Sequence, residues 1–204
     1  MIKLSDTQIE DQEYEGIKDL FGEGVASRII GSQDALDEGF REEVICGERF
    51  LIRLAETDRN SERKSLFATY LWNGSMVLAN YLFEELRSTI QSSSVIEFGS
   101  GAGLPSMACY RLGAKLVCVT DYPSPCVITN LTINISKNCL KAGLDSMAIV
   151  IPYKWADDVT PLLIANNQNQ YDVAIASECL WRHEEVRYGW GEKHNNLFDV
   201  FFLI

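Results

Sequence analysis

Glu97, Gly99, Gly101, Gly103 and Asp121 are the residues of this chain whose types and spacing suit chemistry. The first four sit in the run EFGSGAGLP, where small residues let the backbone come close to a ligand. Asp121 stands past the next β-rich run, where a ribose needs an acceptor for its hydroxyls. The loop is not a dinucleotide fingerprint, because Leu104 occupies the last glycine position of that pattern. Pro105 also removes an N–H that could hold a pyrophosphate, and no glycine-lysine-serine/threonine sequence makes a P-loop. A loop of form E-x-G-x-G-x-G that has no use for phosphate suits S-adenosylmethionine, whose adenosine carries a sulfonium amino acid. The bland alternative is a turn without function, against which stand the strand before it, the helix after it and Asp121.

These residues need elements to hold them. Residues 95–98 form an apolar run broken by Glu97, 104–112 have helical character stopped by Gly113, and 115–120 read as a strand. Upstream, 44–46 and 49–54 flank Gly47 as a small hairpin, with Phe50, Ile52 and Leu54 alternating. Leu78, Leu82 and Leu86 predict a helix over 75–87, with Asn73 or Ser75 as its N-cap. Downstream, 125–141 are helical, with Val127, Ile128, Leu131 and Ile135 on one face. Asn130, Asn134 and Asn138 are spaced four apart there, either as a solvated stripe or in a structural role near the site. Residues 147–151 and 171–176 are continuous apolar runs, as expected for parallel strands covered on both faces, and 160–165 form a short helix between them. Ligands of open α/β sheets bind outside the carboxyl ends of strands. Four such ends bring residues 99–103, Asp121, Tyr153 with Trp155, and Glu178 with Trp181 to one crevice.

The chain has 204 residues and is 47% apolar, enough for one domain with a core. Its net charge is −11, and residues 1–65 hold 16 of its 29 acids against 9 bases. Such a balance disfavours general binding to nucleic acid or to an anionic membrane. It would attract a basic partner, although a solvated acidic face is the commoner meaning. No apolar h-region opens the sequence, and no run approaches membrane-spanning length. The six cysteines show no C-x-x-C pair and read as reduced thiols of a cytoplasmic protein; two histidines give a metal site little to build on. Residues 1–43 are expected to be an acidic, partly flexible extension and 44–204 the folded domain.

The sequence resembles the seven-strand (class I) S-adenosylmethionine methyltransferases of the lysine methyltransferase group known as methyltransferase family 16. Within it the likeness is to the nicotinamide N-methyltransferase-like branch that acts on translation elongation factor 1-alpha. The matching residues are Leu71-Trp72-Asn73-Gly74-Ser75, Leu78-Ala79-Asn80-Tyr81-Leu82, residues 97–105, Thr120-Asp121-Tyr122-Pro123, Asn130 with Asn134, Tyr153 with Trp155, and residues 177–181. The resemblance implies a Rossmann-like doubly wound sheet. It gives Glu97 and residues 99–103 to the methionine part of the cofactor and Asp121 to the ribose, with Trp72 and Trp155 packing on it. It gives the family's acid-x-x-aromatic motif at the methyl-transfer site to Glu178 and Trp181. Read singly, Trp72, Trp155 and Trp181 are equally ordinary packing aromatics, and Glu178 a surface acid.

The sequence departs from the family pattern at Trp181, where Tyr or Phe is usual, and at Ala156, where Gly commonly follows the tryptophan. It also departs in its ending. The family sheet, of order 3-2-1-4-5-7-6, continues past strand four, whereas residues 194–204 suit either the start of a helix or one stray strand. The sheet is therefore expected to stop after strand four, with weak cofactor binding, little turnover and poor solubility. Three functions stay in view: methylation of a lysine or N-terminal amine of a basic protein such as elongation factor 1-alpha, methylation of a small amine, and cofactor binding without catalysis.

Overall fold

Apolar strands alternating with helical segments leave one economical arrangement, a parallel sheet with a helical layer on each face. A computed structural model describes residues 39–55, 68–139, 146–179 and 197–203. All but Gly39 and Phe40 belong to the second of the two units into which the chain divides, Arg41–Ile204. The elements are β1 (Phe40–Ile45), β2 (Glu48–Arg53), α1 (Asn73–Glu84), α2 (Arg87–Ile90), β3 (Ser94–Phe98), α3 (Leu104–Arg111), β4 (Leu116–Asp121), α4 (Pro125–Cys139), β5 (Met147–Pro152), α5 (Thr160–Ala165), β6 (Tyr171–Ala176) and β7 (Phe198–Leu203). The proposed extension falls largely outside the described residues.

The main sheet has the order β5-β4-β3-β6-β7, and its four pairings among the described residues are parallel. It is an α/β doubly wound sheet of Rossmann type, as expected. Alternation along each strand divides the core in two. Val95, Val117, Val119, Val173 and Ile175 join one cluster with Leu78, Leu82, Leu104 and Leu131. Ile96, Phe98, Cys118, Ala174 and Ala176 join the other, with Leu162 and Tyr171.

The sheet runs one strand beyond the four read from the sequence. Residues Phe198–Leu203 pair with β6 from Tyr171↔Phe198 to Ala176↔Leu203, so β6 is not an edge. Leu197, Val200 and Phe201 also match helical spacing, and that ambiguity is resolved by β-rich composition and by the open ladder of β6. The helix read over 75–87 also differs. It ends at Glu84, and Arg87–Ile90 form a separate turn.

Asn130, Asn134 and Asn138 are buried rather than solvated. The Oδ1 of Asn138 accepts from Leu51 N–H (2.9 Å) while its Nδ2 donates to Leu51 O (2.8 Å). Asn134 repeats this with Arg53, at 2.9 and 2.8 Å, and its Nδ2 also reaches Ala102 O at 2.9 Å. Asn130 Nδ2 donates to Arg53 O at 2.9 Å. Four helical residues advance about 6 Å and two strand residues about 6.8 Å, so side-chain amides four apart on α4 meet backbone groups two apart on β2. The helix thus completes the ladder of a strand edge, which otherwise carries unpaired N–H and C=O groups. Through Ala102, the same stripe touches the glycine loop.

Candidate active site

The loop between β3 and α3 is built from the strand outward. Glu97 lies in β3 between Val119 and Ile175 and is fully buried. Its Oε2 accepts from the Ser106 N–H at 3.0 Å and from the Ser106 hydroxyl. It therefore supplies an acceptor to the first turn of α3, whose N–H groups have no partner within the helix. Its Oε1 has no hydrogen-bond partner among the described residues. Burial pushes this carboxyl up to about 8, against the opposing effect of the Ser106 bonds. Glu97 is thus placed beneath the loop, as the anchor of α3, with one oxygen left over.

Gly99, Gly101 and Gly103 all take left-handed backbone (φ 65°, 56° and 80°). A side chain on Gly99 would strike Cys179 Sγ at 2.9 Å, whereas one on Gly101 would meet nothing within 4 Å among the described residues. The loop is therefore closed beneath Gly99 and open above Gly101. Ser100 ties it to the end of β4, its N–H and hydroxyl both donating to Thr120 O at 3.0 Å. Asp121 then closes over it: Oδ2 accepts from Gly101 N–H and Oδ1 from Tyr122 N–H, each at 2.6 Å. Desolvation raises the Asp121 pKa, and these two bonds work against the rise.

The end of β6 meets the loop from the other side. Cys179 is buried, and its thiol contacts Phe98 O at 3.4 Å and Ser177 O at 3.2 Å. Burial pushes it up to about 12, so it stays a thiol at neutral pH. The Trp155 ring packs near Gly99, 3.4 Å from where a side chain there would begin. Glu178 holds left-handed backbone (φ 54°) and its Oε1 accepts from Gly74 N–H at 3.2 Å. Gly74 is the second residue of α1, close to its cap Trp72, which is 42% exposed and meets Tyr70 edge to face at 6.1 Å. Neither Asn73 nor Ser75 caps α1, contrary to expectation. Trp72 holds the cap position in extended backbone, and the Ser75 hydroxyl turns back to Trp72 O at 2.7 Å.

The structure thus brings together Gly99, Trp155, Cys179, Glu178 and Gly74, with Gly101 and Asp121 on the same loop. Trp181 lies outside the described residues. Tyr153 is a packing residue, its ring tilted on Phe98 and its hydroxyl donating to Asp157 O at 3.0 Å. Ala156 has φ 71°, a left-handed value that explains why glycine commonly fills that place. Two partnerships escaped the sequence, Gly74 with Glu178 and Cys179 with Gly99. The glycine in Trp72-Asn73-Gly74 was the available signal, since glycine opening a strong helix suggests a close approach. Open space over Gly101, the Asp121 carboxylate and the leftover Glu97 oxygen fit the S-adenosylmethionine expected from the loop. Among the described residues no cluster of three metal-ligating side chains occurs, and no helix is long and apolar enough to cross a membrane.

Comparison with known proteins gives this geometry a family. The protein N-terminal and lysine N-methyltransferase EFM7 of Yarrowia lipolytica is 34% identical over 140 residues, covering 62% of this chain and 51% of that protein. Its Schizosaccharomyces pombe namesake is 34% identical over 124 residues, covering 59% and 47%. The chain spans about half the length of the curated relatives it matches. Among solved structures, a T. thermophilus 16S rRNA N2 G1207 methyltransferase in complex with AdoMet and guanosine gives a TM-score of 0.48 at 17% identity, over 68% of this chain and 32% of that one. A family model described as lysine methyltransferase matches residues 55–188, a span that takes in α1, the glycine loop, Asp121 and Glu178 together. The chain belongs to the lysine methyltransferase family.

Proposed function

We propose that this chain is an S-adenosylmethionine-dependent N-methyltransferase acting on a lysine or N-terminal amine of a protein. The observation that carries the reading is the contact of two strand ends. Gly99 of the cofactor loop lies against Cys179, and the next residue back, Glu178, is the acid of the transfer motif. Residues 99–103 with Glu97 would hold the methionine part, Asp121 the ribose, and Trp72 and Trp155 the flanks. Each Asp121 oxygen keeps lone-pair capacity beyond its one loop N–H, so ribose hydroxyls can donate to it as well. When bound, the cofactor supplies an electrophilic methyl group on sulfonium sulfur.

The chain's own residues prepare the acceptor. A lysine amine, with an ordinary pKa of about 10.4, must lose a proton before it can attack. Desolvation against aromatic walls favours the neutral amine, and alignment of the amine supplies much of the rest. Glu178 orients the amine and takes up or guides its proton; Trp181, assigned by resemblance, offers a ring face worth about 0.5–2 kcal/mol to the arriving ammonium.

A net charge of −11 favours a basic protein over nucleic acid as partner. The curated relatives are named for protein N-terminal and lysine methylation, and resemblance to their branch supports elongation factor 1-alpha as the acceptor. Six free cysteines support action in the cytoplasm.

The test is to incubate the chain with methyl-labelled S-adenosylmethionine and either a cell lysate or pyridine-type amines. Label on a protein band is the expected result. Label on small amines alone, or none at all, would overturn the assignment. Calorimetry with S-adenosylhomocysteine checks the cofactor site separately: Asp121→Ala should weaken binding by about 1–3 kcal/mol, roughly 5- to 150-fold. Equal affinity of wild type and variant would remove Asp121 from the site.

A further inference from the structure

We propose that Gly74 is a positioning residue for methyl transfer, aiming the Glu178 carboxylate through its backbone N–H and through its missing side chain. The inference rests on the methyltransferase reading above and extends it to a residue on a different element. Glu178 hangs from a loop at the end of β6 and holds a left-handed backbone that L-residues seldom adopt. Its side chain crosses to α1, where Oε1 accepts from the N–H of Gly74 at 3.2 Å. Any other residue at 74 would collide with it. An added Cβ would sit 2.6 Å from Glu178 Cγ, 2.8 Å from Oε1 and 3.0 Å from Cδ.

Gly74 has no conformational need to be glycine. Its φ is not positive, unlike that of the loop glycines, and it lies in the first turn of a helix. Glycine there is a worse helix former than alanine. The local structure therefore gains nothing from it, and the contact with Glu178 is what the missing Cβ permits. One carboxylate oxygen is held by α1 and the acid is fixed at the crevice. The other oxygen has no partner among the described residues and is available to the acceptor amine.

Gly74→Ala separates the two possible roles of this glycine. The variant should melt at or above the wild-type temperature, because alanine favours the helix. It should bind S-adenosylhomocysteine within about twofold of wild type and lower kcat by about 100-fold, the scale for misplacing a reacting group by an ångström. In a Glu178→Ala background the same substitution should do nothing more to kcat. A readout independent of turnover is the Gly74 amide in a nitrogen–proton correlation spectrum. It should move and exchange faster in Glu178→Ala, yet stay in place in Glu178→Gln, which keeps an acceptor oxygen. A Gly74 amide indifferent to Glu178→Ala would overturn the proposal, as would a Gly74→Ala variant with wild-type kcat or losses that multiply in the double variant. Absence of methyl transfer by the wild-type chain would overturn the transferase reading and this inference with it. That outcome is distinguishable, because the amide response reports the contact without any turnover.

Discussion

Asn134→Leu should lower the unfolding free energy by about 3–5 kcal/mol, more than Asn130→Ala in the same stripe. The replacement removes the acceptor of Arg53 N–H and the donor to Ala102 O from a fully buried position. Each buried polar group that loses its partner costs about 1–3 kcal/mol. Asn130→Ala should cost less, about 1 kcal/mol, since Arg53 O keeps its bond from Asn134 and Asn130 Oδ1 has no partner among the described residues. Urea unfolding of the two variants beside wild type gives the ranking. Equal losses would mean that the amides do not complete the β2 ladder.

Glu97→Gln should change the pH dependence of stability by a similar amount. The folded-state pKa of Glu97 is raised to about 8, from an ordinary 4.5, chiefly by burial. A raised acid contributes stability fully present below its unfolded pKa and lost as pH rises through its folded pKa. Wild-type stability should therefore fall between pH 4.5 and about pH 8, the interval in which the unfolded chain has released this proton and the folded chain keeps it. One pH unit of separation is worth about 1.4 kcal/mol, so the fall is on the order of 3–5 kcal/mol. Glutamine copies the shape of the protonated acid, and its Oε1 can accept the two Ser106 donors. It should flatten the profile across that interval and be the more stable form at pH 8. Parallel melts from pH 4.5 to 8 decide the matter; identical slopes would show that Glu97 does not hold its proton.

The strands, the glycine loop and Asp121 were legible in the sequence because their signals are local. Four or five apolar residues ending at a glycine or an acid already define a strand and its carboxyl end. The asparagine stripe was visible but ambiguous, since polar residues four apart on a helix describe a solvated face as well as a buried ladder. What decides between them is β2, whose Leu51 lies 87 positions from Asn138. The same limit hid the hold of Gly74 on Glu178, which joins residues 104 apart and leaves only a glycine to be noticed. The final strand was obscured for a different reason: residues 197–203 carry apolar residues at both helical and strand spacing, and β-rich composition settles the matter together with the open edge of β6.

The unequal steps of helix and strand have a consequence for where the hairpin can sit. Graduations of about 6 and about 6.8 Å behave as a vernier, coinciding over a short span and then drifting by nearly 1 Å per mark. Asn138 with Leu51 and Asn134 with Arg53 are the coincident marks. At the third mark the scales have parted. Ala55 N–H turns instead to Ala68 O at 3.3 Å, and Asn130 reaches back to Arg53 O, its Oδ1 without a partner among the described residues. Backbone amides look alike at every second residue, so the vernier alone would accept a hairpin slid by two places. Phe50 and Ile52, fully buried on the core side, are what set the zero of the scale.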